Sequence, residues 1–578
     1  MQTKLINKDI RKDYTIELLK ERGLKEEEID YFLRVPDDSA LEPPEHLTDV
    51  IHGAIELKVE IDKGSKMAVI VDSDVDGFTS AAIINQYIKL RNPNVVIYNI
   101  LHKGKGHGLS DTIEDILNIE DKIDVVILPD SSTNDKVYHD KLEEYGIWCL
   151  VLDHHLSESD EYSDNAIIIN NQLSDNYKNK DLCGAGVVWQ FCRQLDIIYG
   201  DTYADQFIDL AALGIVSDMM SMLSLENRYI VHTGFANIKN YFFKALCEKQ
   251  AFSMGNKVTP TTVAFYITPL INAMIRAGAQ EEKERCFEAF IDGHKLVPSN
   301  KRGAKGTLEE LAIESARECT NARAKQNRIL DKAEEELEIK IAKHDLLSNK
   351  VLFIRLEDED QFPPELNGLV AMRMAARYKH PTIVARLNEE GEIKGSSRGL
   401  NESELKSFKD FMDESGYMTF TAGHDNACGI GILDKNLAAF HEYANKELAN
   451  VDFGESWYEV NFERIAADQD ITDIIYDIAA HEDVWGQHCT EPLIHIKDIN
   501  ITSKDVQIMG KNADTVKIEK FGVTYIKFHA KDFINELAKY DSIKLEVVGR
   551  ANLNEWMGNF TPQIFITNYQ IEDGSLGF

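Results

Sequence analysis

Residues 67–82 read MAVIVDSDVDGFTSAA. The apolar, β-branched run from Met67 to Val71 has the length and composition of a buried strand. It delivers three aspartates at alternate positions, Asp72, Asp74 and Asp76, followed at once by Gly77. Alternate residues of an extended chain share a face, so the three carboxylates are expected to point to one side of the sheet. Gly77 is expected to supply the turn out of the strand, with Thr79 and Ser80 capping the helix beyond it. Like charges this close repel one another, so a cation is expected among them.

Outward from this stretch, residues 66 to about 225 alternate strand and helix. Apolar runs at Met67–Val71, Val95–Tyr98, Val125–Leu128, Trp148–Leu152 and Ile167–Ile169 predict a parallel α/β sheet. Chemistry in such sheets gathers beyond the carboxyl ends of the strands. Those ends carry Asp72, Asp74 and Asp76, then Asp130, then Asp153-His154-His155. Asp218 closes a further apolar run, LAALGIVSDMM, and is expected to add a fourth acidic site, again at a strand end. One aspartate after a strand is commonly a cap or turn residue. Several of them with an imidazole, at the strand ends of one sheet, would converge on one edge, and that donor set suits Mn²⁺ or Mg²⁺. Two such ions about 3.5–4 Å apart are the usual means of activating water against a phosphodiester.

The bulk composition narrows the class. A chain of 578 residues is too long for one core and is expected to form several domains. Its 98 Asp plus Glu against 63 Lys plus Arg give a net charge of -35, which argues against a non-specific basic DNA coat. A nucleic-acid enzyme with its cations in one cleft stays open. The eight cysteines form no C-x-x-C pair and predict free thiols in a reducing cytoplasm. The N-terminus MQTKLINKDIRKDYT has no apolar segment of a signal peptide, and no run is long enough to span a membrane.

In order, DSDVDG, LPDSS, DHH and GIVSD resemble the motif set of the DHH phosphoesterase family, and within it the chain resembles the RecJ single-strand-specific exonucleases. The flanks extend the likeness. ELLKERGLKEEEIDYFL and EPPEHLTDV are similar to the helical lead of that family, and His102–Ser110 (HKGKGHGLS) to its glycine-rich segment. Glu226-Asn227-Arg228 and Pro269–Gly278 (PLINAMIRAG) match further landmarks. Ile275 stands where the family usually has a glycine before the arginine, and Ile70 where smaller members have a histidine ligand.

The expected architecture is α/β throughout the core. A helical lead over 1–60 precedes a parallel-sheet DHH domain over 61–300. A long connecting helix over 301–345 joins it to a second α/β, DHH-associated domain over 346–450. Residues 307–343 lack Gly and Pro, and Thr307 with Glu310 has a capping-box pattern, so a helix of up to ~55 Å is expected. Lys394-Gly395-Ser396-Ser397-Arg398 is expected as a small-residue loop between two cations, suited to phosphate. Ala422-Gly423-His424 resembles the Gly-Gly-His element of the DHH-associated domain, with Ala422 in place of the first glycine. Alternation in the last stretch, 451–578, predicts a five-stranded OB-like barrel binding single strands, with Tyr525, Trp556 or Phe560 available for stacking.

The resemblance implies roles. Asp72, Asp74, Asp76, Asp130, His154 and Asp218 are the expected metal ligands for two Mn²⁺ or Mg²⁺ ions, Asp130 bridging. Asp153 would orient an imidazole by hydrogen bond, and His155 would contact the phosphate or protonate the leaving oxygen. Asn272, Arg276, Ser396, Arg398, Gly423 and His424 would hold the strand's phosphates. The implied activity is 5′ to 3′ release of mononucleotides from single-stranded DNA by a monomer, with a single-strand-binding protein or helicase as candidate partner and no membrane. Two alternatives remain open from the sequence: a phosphodiesterase of short oligonucleotides or cyclic dinucleotides, and a catalytically silent replication scaffold on the same core.

Overall fold

In the computed structural model the described residues are 1–574 apart from 8, 35, 105, 305, 358, 359, 361, 455, 456 and 511, and the side chain of Trp556 also lies outside them. The run that opens the decisive stretch forms strand β1 (Lys66–Val71), buried from Met67 onward. The helix after it, α1 (Val75–Arg91), starts one turn earlier than expected. Asp74, rather than Thr79 or Ser80, is its N-cap, and accepts a 2.9 Å hydrogen bond from the amide of Gly77. Gly77 therefore sits inside the first turn. Its glycine identity answers to space: a Cβ there would lie 2.5 Å from Cβ of Asp72.

Four more strands complete a parallel sheet: β2 (Val96–Leu101), β3 (Val125–Pro129), β4 (Trp148–Asp153) and β5 (Ala166–Asn170). Their order is β2-β1-β3-β4-β5, all parallel. The winding direction reverses at β1, and an open α/β sheet has its crevice beyond the strand ends at such a reversal. Three helices from this unit, α2 (Gly184–Tyr199), α3 (Ile208–Ser217) and α4 (Leu225–Ala236), follow the sheet. α3 corrects the sequence reading. LAALGIVS is a helix buried through nearly its whole length, so Asp218 arrives at a helix C-cap and not at a strand end. A short run that is apolar all round gives no periodicity to separate the two. Two further helices are α5 (Pro260–Tyr266) and α6 (Thr268–Ala277).

These elements belong to one compact unit, Arg34–Arg328 with Asp483–Cys489; the second comprises Met1–Leu33, Ile329–Glu482 and Thr490–Phe578. The N-terminal lead is thus divided between units, and it is not wholly helical: Gln2–Leu5 is a strand paired in parallel with Trp457–Val460. The long helix α7 (Leu311–Lys343) has 33 residues, ~50 Å at 1.5 Å per residue. Its expected capping box does not form, because Leu308–Glu310 pairs as a strand with Leu296–Pro298 and the hydroxyl of Thr307 donates to Ala304 O. In the second unit, Leu330, Ala333, Leu337 and Ile341 of α7 pack against Leu352, Ile354 and Leu356.

A mixed sheet of β6 (Leu352–Leu356), β7 (Thr382–Leu387), β8 (Glu392–Arg398), β9 (Met418–His424) and β10 (Ala427–Leu433) runs in the order β9-β10-β8-β7-β6. Lys394–Arg398 is consequently the central strand of a sheet and no phosphate-cradling loop; Lys394 pairs with Glu392. The C-terminal region, expected as a five-stranded OB-like barrel, is β-rich as expected and forms a sheet of seven strands. Tyr525 is fully buried there, which removes it as a stacking residue, while Phe560 is exposed. No helix among the described residues is long and apolar enough to cross a membrane.

Gly395 shows why the small-residue motif exists. A Cβ on it would stand 2.2 Å from Val384 O and 2.5 Å from Ala385 Cα of the neighbouring strand. Gly395→Ala is therefore expected to destabilise this unit by about 1–3 kcal/mol through overpacking. Urea unfolding checks it, and unchanged stability would refute the close-approach account.

Candidate metal centre

At the reversal point the acids come together from separate elements. Asp76, in the first turn of α1, accepts hydrogen bonds from the amides of Gly184 (2.8 Å) and Ala185 (3.1 Å) at the start of α2. That helix N-terminus is a natural seat for a carboxylate. Room for the acids is made by glycine. A Cβ on Gly184 would lie 2.5 Å from Asp130 Cβ, and one on Gly214 would lie 2.3 Å from Asp76 Oδ1. Asp130 leaves β3 at φ +62. Its Oδ1 is 3.2 Å from His154 Nε2, which is 3.5 Å from Asp218 Oδ2.

The donor atoms group into three sets whose members lie within 4.8 Å of one another: Asp130, His154 and His155; Asp76, His154 and Asp218; Asp72, Asp74 and Asp130. All six expected ligands occur in these sets. Oδ1 of Asp130 and Oδ1 of Asp72 are buried and accept no hydrogen bond. Buried carboxylate oxygens without donors, facing an imidazole nitrogen, are the pattern a hard divalent cation satisfies. Hard oxygens plus one or two imidazoles fit Mn²⁺ or Mg²⁺.

Electrostatics agrees. Burial, then the neighbouring charges of Asp72 and Asp76, push Asp74 up to about 6. Burial, then Asp76 and Asp74, push Asp218 up to about 8. Asp130 is raised well above the carboxylate range by burial and by four surrounding aspartates. His154 is lowered by burial, which keeps its imidazole neutral and fit to ligate.

Asp153 plays a different part. It accepts from the Thr133 amide (3.0 Å) and hydroxyl (2.7 Å), the His154 amide (2.7 Å) and His155 Nδ1 (2.8 Å). It is wholly buried, yet the His155 hydrogen bond outweighs burial and holds it far below the usual range. In return Asp153 overcomes the burial of His155 and lifts it to about 9. Asp153 thus orients His155 and leaves Nε2 free.

Two histidines escaped the sequence reading. His107 Nδ1 lies 2.9 Å from Asp72 Oδ2, and its ring centroid is 4.7 Å from that of His155. His102, fully buried, has Nε2 3.4 Å from Asp72 Oδ1 and Nδ1 3.1 Å from Asp111. Together these two imidazoles outweigh the burial of Asp72 and lower its pKa. The available signal was the end of β2, adjacent to β1, where HKGKGHGLS begins. Ile70 is buried in the core and contributes no donor.

The expected phosphate contacts divide between units. On α6, Arg276 lies in the first unit, where burial lowers its pKa and the charge of Asp74 opposes that; Asn272, one turn earlier, has a buried Oδ1 without a hydrogen-bond partner. In the second unit Arg398 and His424 both stand in register with Ala427, so they flank one end of β10, and Ser396 pairs with Gly429 further along it. His424 is exposed, and Gly423 carries φ +130. The positive φ falls on 423, where glycine stands, so Ala422 conflicts with nothing.

The model of the DHH family, N-terminal domain, matches residues 66–215, and that of the RecJ OB domain matches 466–568. A putative SPbeta prophage-derived single-strand DNA-specific exonuclease, YorK of Bacillus subtilis, is 35% identical over 580 residues, 99% of this chain and 98% of the relative. The single-stranded-DNA-specific exonuclease RecJ of the same organism is 23% identical, covering 94% of this chain and 66% of its own. Among solved structures, RecJ of Thermus thermophilus in complex with Mn²⁺ matches with a TM-score of 0.70 at 19% identity, over 96% of this chain and 76% of that one. That last likeness is one of fold.

A carboxyl whose folded pKa exceeds its unfolded value stabilises below the unfolded pKa and loses that contribution as pH rises through the folded one. Metal-free protein is therefore expected to lose thermal stability as pH rises through about 6 and then about 8, the values of Asp74 and Asp218. Mn²⁺ should reverse this, raising Tm more on the alkaline side of that window than on the acid side. A thermal shift equal on both sides would refute it. His107→Ala removes one support of Asp72 and is expected to weaken Mn²⁺ binding about 10-fold, read by calorimetry.

Proposed function

Because the chain belongs to the RecJ-like branch of the DHH family, we propose that it is a metal-dependent exonuclease acting on the phosphodiester bonds of single-stranded DNA. The observation that carries this is the convergence of seven donor residues, the six expected ligands and His155, into three mutually close sets around unsatisfied buried oxygens. The whole-length relative named a single-strand DNA-specific exonuclease gives the substrate. The finer reading, 5′ to 3′ direction with nucleoside monophosphates as product, follows from the resemblance to RecJ.

Asp76, His154 and Asp218 would hold one ion and Asp72, Asp74 and Asp130 the other, with Asp130 Oδ1 also 3.2 Å from His154 Nε2 of the first set. Bound there, a metal pair acidifies a water and offsets charge developing on the phosphoryl oxygens. The chain's own groups do the rest. His155, kept protonated near neutral pH by Asp153, presents Nε2 as a donor to the phosphate or the leaving oxygen. Arg276 neutralises a strand phosphate next to the acids. Within the second unit, Arg398 and His424 at one end of β10, with Ser396 and the backbone at Gly423, would bind phosphate.

A small-substrate phosphodiesterase would have no use for a 33-residue connecting helix and a seven-stranded C-terminal sheet. A silent scaffold would not retain every acid. All eight cysteines are buried and free, in keeping with work in a reducing cytoplasm.

With end-labelled DNA and Mn²⁺, the protein is expected to degrade single strands and spare duplexes, and to stop on addition of chelator. Asp130→Asn should lower kcat about 10²–10³-fold, as expected for loss of a central electrostatic group, while leaving single-strand binding in place. Cleavage confined to dinucleotides would sink the exonuclease reading. Absence of cleavage with binding unaffected by Asp130→Asn would favour the scaffold.

A further inference from the structure

The compact unit that holds the acids also contains seven residues from far along the chain, Asp483–Cys489, flanked on both sides by sequence of the other unit. This strap is tightly built. Val484, Trp485 and Cys489 are buried, and Gly486 N donates to Cys489 O at 3.0 Å, closing a turn. Arg228, itself buried in α4, donates through Nη1 to Asp483 O and through Nη2 to Asp483 Oδ2, both at 3.0 Å. Thr261 of α5 reaches Trp485 O at 3.4 Å.

What the strap holds is the segment directly after Asp218. Helix α3 ends in a Schellman arrangement: Met220 N bonds Ile215 O at 3.0 Å and Met219 N bonds Val216 O at 3.4 Å. The left-handed position, usually glycine, is Met219 at φ +59. Its side chain is 53% exposed, so packing of that side chain does not explain the conformation. A non-glycine residue held there persists only when its surroundings over-determine it. Two contacts do so. Asn227 Nδ2 donates to Ser221 O at 3.0 Å, and the amide of Met222 donates to Gln487 O of the strap at 3.0 Å. The strap also leaves no slack against Met222, since a Cβ on Gly486 would lie 2.6 Å from Met222 Cγ.

We infer that Asp483–Cys489 is a positioning element for Asp218: it fixes Met222, hence the Met219 turn, hence the direction in which the carboxylate at the C-cap of α3 faces His154 and Asp76. The strap thereby makes the metal site depend on residues some 270 positions downstream of Asp218. Gly486, Gln487 and Met222 are positioning residues and touch no reacting atom. This inference rests on the reading of Asp218 as a metal ligand.

The test is a graded pair in the full chain, Gly486→Ala and Gly486→Val, each pushing on Met222 by a different amount. Mn²⁺ binding is read by calorimetry without substrate, amide exchange of residues 219–223 by mass spectrometry, and Tm and single-strand affinity in chelator serve as controls. Expected are faster exchange in 219–223 and a stepwise loss of Mn²⁺ affinity, about 10-fold or more for valine, the range seen when groups orienting a ligand are lost. Single-strand affinity in chelator should stay unchanged, and the loss of Mn²⁺ affinity should exceed anything a lowered Tm explains at the assay temperature. Unaltered Mn²⁺ affinity in both variants, with normal binding by the parent protein, overturns the strap's role alone. If the parent binds no Mn²⁺, the metal reading falls first and the strap's role with it.

Discussion

Everything around the site answers to one constraint: several buried carboxylates cannot all be ionised in a small volume without a cation among them. The protein leaves Oδ1 of Asp130 and Oδ1 of Asp72 without a hydrogen-bond donor and lets the burden appear as raised carboxyl pKa values at Asp74, Asp130 and Asp218. Such an arrangement favours a bound divalent ion, which couples cation binding to the stability of the fold.

Around that core the supporting groups sort by sign. Asp153 and Asp72 are the acids kept ionised by neighbouring imidazoles, His155 for the first and His107 with His102 for the second. Each pairing leaves an imidazole held at Nδ1, with two rings 4.7 Å apart. His154 differs in having no such carboxylate on its ring; burial keeps it neutral, and its Nε2 faces Asp130 and Asp218. Adjacent imidazoles in one motif are thus shifted in opposite directions, His155 up and His154 down, because only the ring of His155 is bound by Asp153.

The positions themselves come from packing. Asp76 is seated by amides at the start of α2, Asp130 by a close approach that only glycine at 184 permits, and Asp218 by a turn tied to distant residues. These are contacts with backbone, which explains why glycine stands at 184 and 214 beside the acids. The same logic operates in the second unit, where Gly395 is glycine for the sake of a neighbouring strand and owes nothing to a ligand.

How much of this was legible in the sequence depends on range. The strand pattern from Met67 to Ile169, the acids at the strand ends and their likeness to one motif set were readable because period-two and apolar-run signals are local. The α3 helix was misread because its apolar residues run all round it and leave no period to detect. His102 and His107 were unreadable as partners of Asp72 because strand order, with β2 beside β1, is set by crossover topology and not by any local pattern. The strap is the extreme case, since contact between Met222 and Gln487 joins residues hundreds of positions apart. Sequence alone therefore determined the elements and the chemistry of the donor atoms. Tertiary structure decided which donors meet, which imidazole is charged, and what holds Asp218 in place, because burial and through-space charge exist only once the chain has folded.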